Sequence, residues 1–159
     1  MTNIRDVRTL DPTDIKILNL LQQNARLELK EIAVKVHKST SPVHERIRKL
    51  QEYGFIKRYV AILDREKIGR PLLAIVQVTL AVHTRLALLL FEEKMNRLPE
   101  VQLCLHLSGG FDFMVHVSIP DTQTFHDFLM NKLCNEQHVS RVETSFVLKE
   151  CKVHSPYLL

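Results

Sequence analysis

The side chains best equipped for chemistry crowd into one stretch, Ser39-Thr40-Ser41-Pro42-Val43-His44-Glu45-Arg46-Ile47-Arg48-Lys49, with two more cations behind it at Lys57 and Arg58. Hydroxyls, an imidazole and cations in this order are hydrogen-bonding groups for phosphate oxygens and base edges rather than a nucleophile with its base. Thr40, Ser41, His44 and Arg48 are the candidates for base edges, since arginine forks onto guanine and hydroxyls serve either kind of base. Arg48, Lys49, Lys57 and Arg58 are the candidates for backbone phosphate, with Ser39 at the tip of the stretch. Arg46, beside an apolar isoleucine, completes the candidate DNA contacts. A solvated face competes with this reading, because Glu45 and Lys49 stand at the spacing of a helical ion pair and His44 serves equally as a surface residue. Cys104, His106 and His116 are metal-ligand types, but no acids accompany them as an outer shell, and the 3 cysteines show no CxxC spacing. Neither a GxxxxGK[ST] loop nor a nucleophile-base motif is present, so the sequence predicts no enzyme, metal or cofactor.

Helices must position this stretch. Asp11-Pro12-Thr13-Asp14 supplies an N-cap acceptor, a proline in the first turn and an acid near the free N–H groups, which predicts a helix start. Ile15, Ile17, Leu18 and Leu21 then form one apolar stripe; Leu29, Ile32, Ala33 and Val36 form a second, shorter one. A third helix runs from the hydroxyl-rich Ser39–Ser41 start to Gly54, with Val43, Ile47 and Leu50 on its inner face. Two short helices joined by a tight turn, the second polar and basic outward, match a helix-turn-helix whose second member enters the major groove. A three-helix bundle with a solvated face shows the same stripes. Charge favours the former: residues 1–60 carry 12 Lys/Arg against 7 Asp/Glu, while 61–159 carry 10 against 11. The segment Gly54–Tyr59 reads as a turn into a strand.

Beyond Pro71 the pattern changes to βαββαβ. Strands are predicted at Leu72–Leu80, Val101–Leu107, Phe113–Ser118 and Val142–Lys149, and helices at Thr84–Arg97 and Asp121–Leu133. This order gives a ferredoxin-like sheet with both helices on one face. On the other face the reading places Leu73, Ile75, Met114 and Val147 among Gln77, Cys104, His106 and His116, too apolar in part for water, which predicts a homodimer through the sheet.

The chain resembles the leucine-responsive/asparagine-regulatory (Lrp/AsnC) transcription regulators along nearly its whole length. Leu10-Asp11, Asp14, Ile17-Leu18, Leu21, Ala25-Arg26, Glu31-Ile32-Ala33, Ser39, Ser41-Pro42, Arg46-Ile47, Leu50, Gly54-Phe55-Ile56 and Gly69 carry the N-terminal likeness. Leu98-Pro99-Glu100-Val101, Gly109-Gly110-Phe111-Asp112 and Thr144 with Lys152 carry the C-terminal one. The resemblance implies an α+β chain: a winged-type helix-turn-helix domain over 1–58, a hinge strand within 59–70 near Tyr59–Leu63, and over 71–159 a ferredoxin-like βαββαβ module for ligand sensing and oligomerisation. It further implies double-stranded DNA as partner, dimers assembled into octamers or larger, and an amino-acid effector near Gly109, Gly110, Phe111, Asp112 and Thr144. There Asp112 would meet an ammonium group and the glycine N–H groups a carboxylate. Three positions depart from the family pattern: His37 stands for a glycine in the turn, Glu28 for a cap serine, and Gly110 for an acid.

The function expected is a sequence-specific regulator tuned by an amino acid or similar metabolite; the alternatives are an architectural DNA-organising protein of the same fold, and a metabolic or allosteric module whose helices serve protein contacts. The run Leu86–Phe91 is too short to span a bilayer, and the first residues hold no secretory-type apolar stretch, so no membrane partner and a cytoplasmic location are expected.

Overall fold

The computed structural model describes residues 9–135, 138–153 and 155–159; the N-terminal residues on which the location expectation rests lie outside them. The chain forms two compact units, one of residues up to Ala61 together with Lys152–Leu159, the other of Ile62–Cys151. The eight-residue tail Lys152–Leu159 packs with the helical unit. There the Gln22 side-chain amide donates to the Tyr157 carbonyl at 3.2 Å and accepts from the Tyr157 N–H at 2.7 Å.

In the helical unit α1 spans Pro12–Gln23, α2 Leu29–Lys35 and α3 Thr40–Glu52. The Asp11 carboxylate caps α1 by accepting from the N–H groups of Thr13 and Asp14, each at 2.8 Å. Glu28 precedes α2, and the Glu31 side chain accepts its N–H at 2.9 Å, half of a capping box built without a hydroxyl. The predicted stripes meet in one core of Ile17, Leu18, Ile32, Ala33, Val36, Val43 and Leu50. Gly54, at φ +78°, ends α3. The strand expected after it does not form within one chain: Lys57–Asp64 make no ladder, although Tyr59, Val60, Ile62 and Leu63 are exposed and strand-like in composition.

Between α2 and α3 His37 adopts φ +54°, among the described residues the one non-glycine in the left-handed region. Its Cβ crowds the following carbonyl there, which glycine avoids. Because relief of the left-handed cost, about 1–2 kcal/mol, exceeds the roughly 0.5–1 kcal/mol of added glycine freedom in the unfolded chain, His37→Gly is expected to stabilise the protein by about 0.5–1 kcal/mol, read as a higher urea midpoint at unchanged slope.

In the second unit β1 (Leu72–Leu80), α4 (Arg85–Arg97), β2 (Val101–His106), β3 (Phe113–Ile119), α5 (Thr122–Phe128) and β4 (Val139–Phe146) build an antiparallel sheet in the order β2-β3-β1-β4. Ala74, Val76, Val78 and Leu80 alternate inward with Phe113, Val115, Val117 and Ile119, and Phe91, Met95, Phe125 and Phe128 from the helices close the core over them.

Three details differ from the sequence reading. The second helix is not one α-helix: a π-helical turn, Leu129–Cys134, follows α5 and carries Leu133 into the core. β4 begins at Val139 rather than Val142 and ends at Phe146, with a register shift between Thr79 and Leu80. β2 pairs Val101 with Val117 but Leu103 with His116, so the extra residue Gln102 makes a bulge that reverses the faces beyond it. Cys104 and His106 thus lie on the helix-covered side, His106 stacked on Phe113 at 4.9 Å, while Leu103 and Leu105 take the open face with His116 and Met114. The three metal-ligand types point to opposite faces and do not converge. Among the described residues no helix is long and apolar enough to cross a membrane.

Candidate functional site

The outer face of α3 collects the predicted donors. Ser41, His44 and Arg48 are exposed one turn apart, above the buried Val43 and Leu50 that fix the helix to its unit. Ser39 occupies the N-cap position without making a side-chain cap bond, and Thr40 opens the helix. First-turn N–H groups and hydroxyls here can take a phosphate oxygen. Lys57 and Arg58 follow on exposed backbone. Lys49 is within 3.6 Å of Glu45.

Arg46 stands apart from the reading face. Its Nη1 donates to Asp11 Oδ2 at 2.5 Å and to Asp14 Oδ1 at 2.7 Å, and Asp14 is 1% exposed. These carboxylates raise the guanidinium's affinity for its proton, the Asp14 hydrogen bond most. Arg46 thus bridges α3 to the start of α1.

The second cluster surrounds the turn between β2 and β3. Gly109 and Gly110 are exposed at its tip, with open space where a Cβ would stand on either. Phe111 lies under the Arg141 guanidinium, 5.5 Å from its ring centroid. Asp112 is engaged within the fold: Oδ2 accepts the Leu80 N–H at 2.7 Å and lies 3.0 Å from His83 Nε2, while its backbone bonds to Val78 and Leu107. Thr144 stands on β4 opposite Val76, two strands from the turn, so the two parts of the predicted effector site are separated by β1. His83, Leu80 and Arg141 were missed from sequence. Arg141 carried only its charge as a signal, and nothing local marked His83, whose role comes from a strand end 29 residues from Asp112.

Because Asp112 ties the turn to the end of β1, Asp112→Ala is expected to free that turn and raise amide hydrogen exchange at Leu80 and Leu107 at least tenfold. Unchanged exchange would show that the backbone bonds hold the turn without the carboxylate.

A hollow of about 180 Å³ opens on the helix side of β2, lined by Glu92, Asn96, Cys104, His106 and Phe113. Burial, helped by the Glu92 carboxylate, pushes the Cys104 thiol up to about 11, so it stays protonated at neutral pH.

Comparison with known proteins places these features. Residues 10–57 match the winged helix-turn-helix DNA-binding domain and residues 73–157 the Lrp/AsnC ligand binding domain. The Bkd operon transcriptional regulator of Pseudomonas aeruginosa is 34% identical over 92% of this chain and 95% of its own. The leucine-responsive regulatory protein of Haemophilus influenzae is 33% identical over 91% and 87%. Among solved structures, a transcriptional regulator of Neisseria meningitidis in complex with L-Met superposes with a TM-score of 0.89 at 33% identity, covering 94% of this chain and 97% of that one. An AsnC family regulator from Agrobacterium tumefaciens gives 0.84 at 31%, covering 91% and 94%. The helical unit with its exposed, donor-rich third helix and the four-stranded sensing fold are those of a transcription regulator, not an enzyme, and the chain belongs to the Lrp/AsnC family.

Proposed function

We propose that this regulator binds near-palindromic sites on double-stranded DNA as a homo-oligomer built on a dimer, and that an amino acid alters its assembly or its DNA affinity. The exposed face of α3 carries the reading: Thr40, Ser41, His44 and Arg48 address base edges, and Ser39, Lys49, Lys57 and Arg58 address phosphates. The open sheet face supports the dimer, since Leu73, Ile75, Leu103, Leu105 and Met114 lie there without helix cover. Tyr59–Leu63 supports a hinge strand completed by a second copy, because its apolar side chains and unpaired backbone gain a ladder only from another chain. Octamers or larger assemblies follow from stacking such dimers, and the cytoplasm, where the DNA lies, is the place of action.

A leucine-responsive name and an L-Met complex among the relatives support an amino-acid effector. In this chain Gly109 and Gly110 offer N–H groups to its carboxylate, Phe111 an apolar wall, and Asp112 a partner for its ammonium group, with Thr144 supplied from elsewhere in the assembly. The ammonium group competes with His83 for Asp112.

The test is selection of genomic fragments by the purified protein at two salt concentrations, with and without a pool of amino acids. A short near-palindromic motif and an amino-acid-dependent shift are expected. Salt-sensitive binding without a motif would indicate an architectural DNA-coating protein instead, and no binding at low salt would overturn both.

A further inference from the structure

The cations of α3 are already engaged. Arg48 Nε donates to Glu45 Oε2 at 2.9 Å and Nη2 to Glu45 Oε1 at 2.5 Å, a two-pronged clasp across one edge of the guanidinium. Nη1 donates to Glu52 Oε1 on the following turn. Lys49 reaches Glu45 as well. Arg48 and Lys49 therefore face Glu45 and Glu52, two charges of each sign, on a surface otherwise expected to be cationic.

All four side chains are between 43% and 52% exposed, so the arrangement contributes little to packing. Both partners of the clasp are ionised at neutral pH, the Glu45 carboxyl being held down at about 2, chiefly by its hydrogen bond to Arg48. To fork onto guanine N7 and O6, Arg48 must release at least one carboxylate.

Resting on the reading of α3 as the DNA-reading helix, we propose that Glu45 is a specificity-determining residue: by clasping Arg48 and pairing with Lys49 it cancels the charge of the reading surface, so that phosphate alone does not draw the helix onto DNA. Non-specific binding consists almost entirely of the electrostatic contribution, so neutralising this surface subtracts mainly from it. At a matching site the hydrogen bonds of Arg48 to the base replace those it gives up. The released Glu45 carboxylate can then accept from a cytosine N4 amine in a neighbouring pair.

The experiment compares the full-length protein with Glu45→Gln and with Glu66→Gln, which removes the same charge from an exposed position in the other unit. Each is titrated against the fragment enriched by selection and against a random fragment of equal length, over a series of salt concentrations. For Glu45→Gln, random DNA should bind about tenfold tighter with a salt slope steeper by about 1, while the enriched fragment changes less than threefold. Glu66→Gln should leave both unchanged. Unaltered discrimination in Glu45→Gln, or an equal gain in Glu66→Gln, would overturn the assignment. Failure of the unsubstituted protein to bind any DNA at low salt would instead remove the reading on which it rests. Matching circular dichroism melts of all three proteins establish that folding is not being read.

Discussion

Arg46→Met should lower the unfolding free energy by about 3 kcal/mol, because it strips the guanidinium from a buried carboxylate while keeping much of the side-chain volume. Asp14 is 1% exposed and Arg46 only 28%, so the charge left behind is poorly placed to recover water. Asp14 has further interactions, which keeps the expected loss below that of a wholly orphaned charge. Since the chain contains no Trp, unfolding in urea is best followed by far-UV circular dichroism. Arg46→Lys should recover only part of the loss, because the shorter lysine side chain brings its ammonium less far than Arg46 Nη1, which alone bonds both Asp11 and Asp14.

Acid adds a second signature. Asp11 is held below the ordinary carboxylate range, first by the Asp14 N–H and also by Arg46. A group depressed in the folded state contributes stability that is complete above its unfolded value, about 3.9, and fades as pH falls through the lower folded one. That acid-dependent loss should shrink in Arg46→Met without disappearing, since the backbone donors remain. A change below about 0.5 kcal/mol at neutral pH would mean that the bridge is incidental. DNA affinity of the folded variant should change little, which separates this arginine from its neighbour two positions on.

Arg48→Ala is expected to weaken binding to the enriched fragment about 100-fold and to erase preference at one base-pair position of each half-site. Two effects combine. A bidentate base contact is lost, and Glu45 and Glu52, no longer clasped, face the phosphates with only Lys49 to offset them. Lys57→Ala should behave differently, weakening all sequences by a similar factor and lowering the salt slope by about 1. Selection sequencing with each variant distinguishes the two: a motif degenerate at one position for Arg48→Ala, and an intact motif at reduced affinity for Lys57→Ala. An unaltered motif for Arg48→Ala would place base reading elsewhere on α3.

What could be read without coordinates was local. Asp11 caps α1 by the side-chain hydrogen bonds that its type and position suggest, and Thr84 and Asp121, where the later helices were expected to begin, accept N–H groups there. β1 runs over the Leu72–Leu80 expected, because its β-branched composition and the proline before it are properties of the segment itself. The errors arose where one segment depends on another. Gln102 bulges because of its pairing with β3, and no alternation within β2 reveals that Cys104 and His106 turn toward the helices. The π-helical turn is a change of hydrogen-bond register inside an apolar stripe that reads the same either way. Beside the effector role expected of Asp112, its bond to the Leu80 N–H and its approach to His83 come from the end of β1, out of reach of any motif. Arg46 and Arg48 illustrate the point within one helix. Two residues apart and alike in type, one faces α1 and the other faces outward, so only their burial tells them apart.

The docking of the tail against Gln22 has a topological consequence. The helical unit is discontinuous in the chain: the sensing unit is an insertion between Ala61 and Lys152. During synthesis α1 to α3 emerge first, but the bond partners of Gln22 lie 135 residues later. The helical unit is completed only after the intervening sheet has been made, so a nascent helical unit lacks contacts that the finished one possesses. For the same reason a fusion placed after Leu159 follows directly on the segment that bonds Gln22, and its perturbations reach the helical unit first.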